Sequence, residues 1–324
     1  MRVLIKGAGV GGLVAAHELW TRGIEVELHE RASRVGAGAS GFAGGMLPPW
    51  CERESAPEAV LTLGRMAADW WEAALPGYVT RNGTLVVAPA RDASELARFG
   101  TRTEGYTWLD EADIVELEPA LAGRFRRGLF FPGEAHLDPR AALTAMHRKL
   151  AAHGVRFHFG EENFPTRGFD RVIECTGAAA IGTLPGLRGV RGEMLYLETS
   201  EIALSRPIRL LHPRHPLYIV PRAGGRFMVG ATMIETDDAG PVSARSLMEL
   251  LNAAYALHPA FGEARVVEIG AGVRPAYADN LPRVMQEGTT VRINGFHRNG
   301  FLLAPAMARQ VVDLITADQR ALSA

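Results

Sequence analysis

Cysteine is nearly missing. The 324 residues hold two, Cys51 and Cys175, far apart and each without a second thiol nearby, which excludes a disulfide framework and a CxxC metal or redox site. Lysine is equally rare. Lys and Arg total 35, of which only Lys6 and Lys149 are lysine, leaving 33 arginines, so no single arginine points to function by count alone. Neither lysine stands in a context that suggests a Schiff base. No charge of one sign prevails either: 35 basic against 36 acidic residues give a net charge of -1, and nothing marks a nucleic-acid or anionic-membrane partner. No run of about 18 apolar residues occurs, so no membrane span is expected. Arg2 and Lys6 before an apolar stretch to Ala16 imitate a short signal sequence. Four glycines break that stretch, and the chain runs on through Glu18, Glu25 and Glu30 without a cleavage site. A reduced, cytoplasmic compartment is the expectation. A Gly-x-Ser-x-Gly elbow and a Walker-type Gly-Lys-Ser/Thr sequence are also lacking.

What is present is an ordinary globular composition, 47% hydrophobic and 22% charged, which rules out disorder as the main state. The length predicts one large α/β unit or two units sharing a core. Val3 to Ile5 reads as a buried strand, Gly11 to Arg22 as a helix ended by Gly23, and Glu25 to His29 as a second strand, which together make a βαβ unit. One helix is expected over 57–75, a strand over Thr84 to Val87 and a helical stretch from Asp110. Asp138-Pro139 predicts a helix start, because Asp caps a free N–H and Pro at the first helical position wastes no donor. That helix runs to about His153 and stops at Gly154. Val155 to Phe159 and Arg171 to Glu174 read as strands of the first sheet. From Glu193 to Met233 the pattern turns to strands, with Tyr218 to Pro221 and Arg226 to Thr232 forming an antiparallel hairpin. Ser243 opens a helix to Leu257, Thr290 to Asn294 is a strand, and Phe301 to Ala317 is a closing helix.

The first chemical signal is Gly7-Ala8-Gly9-Val10-Gly11-Gly12 between the first strand and its helix. Gly7 permits the tight turn, Gly9 lets backbone approach a pyrophosphate, and Gly12 lets helix and strand pack closely, while the helix N-terminus offers free N–H groups. Glu30, ending the second strand, falls where a ribose-binding carboxylate is needed. These features predict a dinucleotide site and leave FAD and NAD(P) both open. The small residues of 36–45, followed by Met46-Leu47-Pro48-Pro49, suit a backbone that lies against a flat ligand.

With these residues the chain resembles the FAD-dependent amine and amino-acid oxidases, which include D-amino-acid oxidase and sarcosine oxidase. Within them it is most similar to the bacterial glycine oxidases of thiamine-thiazole biosynthesis. The C-terminal segments Gly272-Val273-Arg274-Pro275, Asp279-Asn280-Leu281-Pro282 and Arg298-Asn299-Gly300-Phe301-Leu302-Leu303-Ala304-Pro305 are similar to the same oxidases, as are Tyr218-Ile219-Val220-Pro221-Arg222 and Gly230-Ala231-Thr232-Met233. The resemblance implies that Arg274 grips a substrate carboxylate through two parallel N–H···O bonds. It implies that Tyr218 adds a hydrogen bond, that Arg298 reaches the same pocket, and that Met46 and Met233 line it. It implies FAD on Gly7, Gly9, Val10, Gly11, Gly12, Glu30 and Arg31, on Ala39, Ser40, Gly44, Gly45 and Met46, and on Thr176 and Gly177, with Asn163 touching the adenine. The last cofactor segment is Phe296, His297, Arg298, Asn299, Gly300, Phe301 and Leu302. The chain departs from the family in the order of Phe296-His297, which gives His297 no role of its own, in a short 161–169 segment, and in Val284-Met285 where a Gly is usual. The C-terminal motif has no cysteine, so the FAD is expected to be noncovalent.

The fold implied is α/β: a Rossmann-like FAD-binding domain over 1–75, 138–192 and 267–324, interleaved with an antiparallel-sheet substrate domain over 76–137 and 193–266. It is the D-amino-acid oxidase-like arrangement of the glutathione-reductase-type superfamily. The activity implied is oxidation of glycine, with oxygen as acceptor, for thiazole synthesis. The alternatives are a D-amino-acid or sarcosine-type oxidase or dehydrogenase, an FAD-binding subunit without turnover, and an NAD-binding dehydrogenase. No metal is expected, because His212 and His215 in a Pro-rich loop lack a third ligand. Partners are a small amino acid and oxygen, with a homo-oligomer left open. Trp70 and Trp71 read as packing residues of a helix.

Overall fold

The computed structural model describes residues 1–211 and 216–323, with side chains through residue 317. The His212 to His215 loop weighed above as a metal site lies outside the described residues.

Six strands make the first sheet, in the order Arg283–Glu287, Thr290–Asn294, Arg171–Glu174, Arg2–Lys6, Glu25–Glu30, Arg156–Phe159. All neighbours are parallel except the first pair. Val3, Leu4 and Ile5 are consecutive and all fully buried, so the central strand is apolar on both faces, as a sheet covered on both sides requires. Helices Val10–Trp20, Pro139–Ala152 and Gly300–Ser323 bury Leu13, Leu19, Leu143, Leu303 and Val311 in one core with it. The Asp138 carboxylate caps the second of these helices, accepting from the N–H groups of Arg140 and Ala141 at 2.9 and 3.0 Å.

The closing helix begins at Gly300 and runs to Ser323, longer at its C-terminal end than the sequence suggests, and it holds Pro305. Proline has no N–H for the carbonyl four residues earlier. The indole of Trp71 supplies the missing donor to the Phe301 carbonyl at 2.9 Å. The window Gly300–Ala317 has a mean hydropathy of 1.2 and the length of a membrane span, yet 61% of it is buried inside the protein. It is a core helix.

The second sheet runs Ile234–Glu235, Arg188–Glu198, Arg226–Gly230, Leu217–Arg222, Ile208–Leu210, Thr84–Val87, Arg127–Phe131, Thr107–Asp110, with Arg265–Ala276 also paired to Arg188–Glu198. It is antiparallel except where Ile208–Leu210 meets Thr84–Val87. Side chains alternate across a strand. Leu195, Leu197, Ile219, Phe227 and Val229 therefore pack under helix Ala244–Leu257. Met194, Tyr196, Tyr218, Val220 and Met228 share the opposite face with Phe42 and Met46.

One expectation is corrected, and two features stand beside it. The helix expected over 57–75 is two, Glu58–Gly64 and Ala67–Ala74. The break follows Gly64, where an added Cβ would lie 2.8 Å from Leu302. A further helix, Pro49–Arg53, precedes them. Residues 188–192 and 267–276, assigned by sequence to the first domain, pair with each other in the second sheet. Each belongs to a continuous strand that crosses the expected boundary.

Candidate active site

A cavity of about 780 Å³ opens at the C-terminal ends of the parallel strands and extends to the face of the second sheet that carries Tyr218 and Met228. The carboxyl ends of parallel strands are the ordinary place for a ligand in such a sheet.

Backbone builds the end beside the first sheet. Gly7 has φ +103, and a Cβ there would sit 2.4 Å from the Cys175 carbonyl, so no larger residue fits. Helix Val10–Trp20 follows with no cap from its own N-cap residue, Gly9, and its first-turn N–H groups beyond that of Val10 are left to a ligand. The Ser40 hydroxyl, from the turn Ala39–Phe42, accepts from the Val10 N–H at 3.1 Å. Glu30 accepts from the N–H groups of Ala8 and Ala32 at 2.7 and 2.9 Å. Each carboxylate oxygen keeps a second lone pair. Asn163, Arg31, Glu162 and Phe164 line the outer margin of this end, where the rings of Phe164 and His29 stack at 5.3 Å. Thr176 and Gly177 lie on the other side, the Gly177 carbonyl held by the Asn294 amide at 3.0 Å.

Two arginines fix the glycine-rich segment. Arg140 donates to the Gly41 carbonyl at 2.8 Å and forks onto Glu268 at 2.8 and 2.5 Å. Arg222 donates to the Gly44 carbonyl at 2.5 Å. Gly45 has φ +72, and its Cβ would meet the Leu137 carbonyl at 2.2 Å. A flat group fits beside this segment, and the uncapped helix and Glu30 suit a dinucleotide's pyrophosphate and ribose. These residues fit FAD.

Charged side chains build the other end. Arg274 comes from strand Arg265–Ala276 and lies over Gly192, where a Cβ would stand 2.0 Å from its Nη2. Its Nη1 donates to the Thr232 carbonyl at 3.1 Å, and among the described residues no carboxylate lies within ion-pair distance of it. Burial first, then the positive charge of Arg298, pull the Arg274 guanidinium down to about 10, against partial relief from Glu52. A cation in that position is completed by an anion.

Arg298 donates through Nε to Glu52 at 2.6 Å, approaches the Met233 sulfur at 3.7 Å, and keeps a buried Nη2 with no partner among the described residues. Burial pushes the Glu52 carboxyl up, but Arg298 and Arg209 outweigh it and hold it below the ordinary value. Tyr218 lies 3.0 Å from Arg209 and 3.5 Å from Glu52 through its hydroxyl. Under helix Pro49–Arg53, Glu134 accepts from the Cys51 N–H at 2.7 Å, and burial raises its carboxyl to about 7. His297 is left-handed at φ +50, and burial with Arg274 and Arg298 lowers its imidazole to about 4.

Arg274, Tyr218, Arg298, Met46 and Met233 thus line one cavity together with the expected cofactor residues, save two. Gly12 lies outside it: a Cβ there would come within 1.9 Å of the Gly7 carbonyl, so its part is the close packing of helix on strand. Leu302 is also outside, buried against Gly64. Sequence reasoning missed Glu52 and Arg209. Arg209 between the apolar Ile208 and Leu210 carries the alternation of a half-buried strand, but the polar face of that strand is the cavity, not solvent.

The family model described as FAD dependent oxidoreductase matches residues 2–314 of the chain. A Rhizobium etli protein named as a thiamine biosynthesis oxidoreductase, ThiO, is 67% identical over 319 residues, covering 98% of each chain. The glycine oxidase of Geobacillus kaustophilus is 28% identical, with 98% of this chain and 94% of that one covered. A crystal structure of glycine oxidase from that organism superposes with a TM-score of 0.81 at 25% identity, over 98% of this chain and 95% of that one.

Proposed function

The chain belongs to the FAD-dependent oxidoreductase family, and from that premise we propose that it oxidises glycine, with oxygen as electron acceptor, in the supply of thiazole for thiamine. Its relatives' names support this substrate and this role. The observation that carries the reading is the Arg274 guanidinium, without a carboxylate partner among the described residues, in the same cavity as Gly45 and Met46. Bound FAD would supply the two-electron acceptor for oxidation of the substrate C–N bond to an imine, with oxygen as the final acceptor and peroxide as its product. The chain's own part is positioning. Arg274 takes the carboxylate through its planar fork, and the Tyr218 hydroxyl adds a second donor. Arg298 stands beside them with an Nη2 that has no partner among the described residues. Met46, Met228 and Met233 shape the space for the Cα side. The substrate amine is neutral in this reading, its lone pair supporting the developing imine, and no protein base is required. The two-domain division, noncovalent FAD, a cytoplasmic location and a possible homo-oligomer belong to the same proposal.

Anaerobic addition of glycine to the yellow protein tests it. The flavin absorbance bleaches with glycine more readily than with sarcosine or D-alanine. Arg274→Ala keeps the colour and loses the reduction by about 10²–10³-fold, the cost of removing one partner of a desolvated charge pair. A better response to sarcosine or D-alanine moves the substrate. No bleaching with any of the three overturns the enzyme reading, and undiminished reduction in Arg274→Ala overturns the carboxylate anchor.

A further inference from the structure

Arg209 lies in none of the sequence motifs and is buried, 5% exposed, behind Tyr218. Its guanidinium packs on the rings of Phe99 and Tyr218 at 5.0 and 5.2 Å. It donates to the Tyr218 hydroxyl at 3.0 Å and the Cys51 carbonyl at 3.3 Å, and approaches Glu54 at 3.5 Å and Glu52 at 3.7 Å. Strand Ile208–Leu210 holds it there, since its two neighbours point into the opposite core.

The chemistry of that contact has a direction. A guanidinium has five donors and no acceptor, so at 3.0 Å the Tyr218 oxygen must accept. The phenolic proton then needs another acceptor. The Glu52 oxygen at 3.5 Å is well beyond the 2.5–2.7 Å usual for a hydroxyl on a carboxylate. The remaining direction is the cavity, which Tyr218 lines with Arg274. Arg209 also ties down the segment that carries Glu52, and the other Glu52 oxygen holds Arg298.

We propose that Arg209 is a positioning residue for the substrate carboxylate: by occupying the Tyr218 oxygen as a donor, it presents the phenolic O–H to the acid group held by Arg274. The proposal deepens the amino-acid oxidase reading and rests on it.

A double-mutant cycle tests it, with Arg209→Met, Tyr218→Phe and the pair, each in the flavin-loaded protein. The probe is acetate, a carboxylate that cannot be oxidised at an amine, followed through its perturbation of the flavin spectrum. Each single change weakens acetate by about tenfold, the scale of one hydrogen bond to a charged group, and the pair weakens it no further. Arg209→Lys, which keeps a donor but loses the fork, restores part of the binding and covers the case in which Arg209→Met fails to fold. Losses that multiply to about a hundredfold, wild-type binding in Arg209→Met, or no recovery in a folded Arg209→Lys overturn the proposal. So does a wild-type spectrum that acetate leaves unchanged. If the cycle couples but no amino acid bleaches the wild type, the reaction reading fails while the positioning stands. If glycine bleaches the wild type and the losses multiply, the positioning fails alone.

Discussion

The two ends of the cavity are made of different material. Near the first sheet the lining is largely main chain: glycines, a helix N-terminus and small side chains, much of it drawn from 7–11 and 37–46. Near the second sheet it is long charged side chains from distant segments, with Glu52 and Arg298 paired across 246 positions. The first end depends on what is absent at each Cβ. The second depends on ion pairs that have been taken out of water, where each charge must be answered by another. Change at the first should therefore cost the fold and the cofactor together, and change at the second should cost substrate handling and pH tolerance.

Gly12→Ala gives the largest expected effect. The new methyl would stand 1.9 Å from the Gly7 carbonyl oxygen, a backbone atom rather than the end of a flexible side chain that could yield. The helix and strand have to separate, which costs about 3 kcal/mol or more for overpacking of this kind. Thermal unfolding and flavin content in one preparation measure it. A variant with unchanged stability and full colour would break the comparison, because the backbone end would then tolerate bulk.

Glu52→Gln comes next. It leaves Arg298 and Arg209 without a shared counter-charge in a buried place, at a cost of about 2–3 kcal/mol with part of the hydrogen bonding kept by the amide. The pH dependence carries its own sign. The folded Glu52 carboxyl lies below its ordinary 4.5, so its stabilisation is fully present above that pH and is lost as the pH falls through the lower folded value. Denaturant midpoints from pH 7 down to 3 should fall for the wild type, and part of that fall should vanish in Glu52→Gln. Parallel curves would show that the charged end is not held by this carboxylate.

The same contrast explains what was legible in the sequence. The backbone end follows from local spacing: Gly7 to Gly12 after an apolar strand, Glu30 at the end of the next, and Asp138-Pro139 opening its helix. Arg274, Tyr218 and Arg298 were reached through resemblance of short segments rather than through any local periodicity. Glu52 had neither signal, and the alternation around Arg209 does not say what its polar face meets, because both roles exist only where the segments meet. The strand Arg265–Ala276 was hidden for a related reason. Gly270 and Gly272 weaken its β pattern, but a Cβ at Gly270 would meet the Phe42 ring at 2.5 Å, and one at Gly272 would lie 3.1 Å from Ala39. The glycines that obscure the strand are what let the cofactor-side turn lie against it.

His297→Asn is the smallest expected effect and falls where the two ends meet. At φ +50 a histidine side chain is strained, whereas asparagine enters the left-handed region more readily. Relief of that strain should stabilise the protein by about 0.5 kcal/mol at pH 7, within the range for backbone-compatible replacements. A second gain appears on acidification. The folded imidazole titrates at about 4 against an ordinary 6.5, so the unfolded chain binds the extra proton first and stability drops as the pH falls from 6.5 towards 4. Asparagine does not titrate, and the advantage of the variant should widen through that window. Unfolding midpoints of both proteins at pH 7.5, 6 and 4.5 measure it. A constant difference would mean that neither burial nor the charges of Arg274 and Arg298 hold this imidazole down, and that the substrate end stops short of the loop.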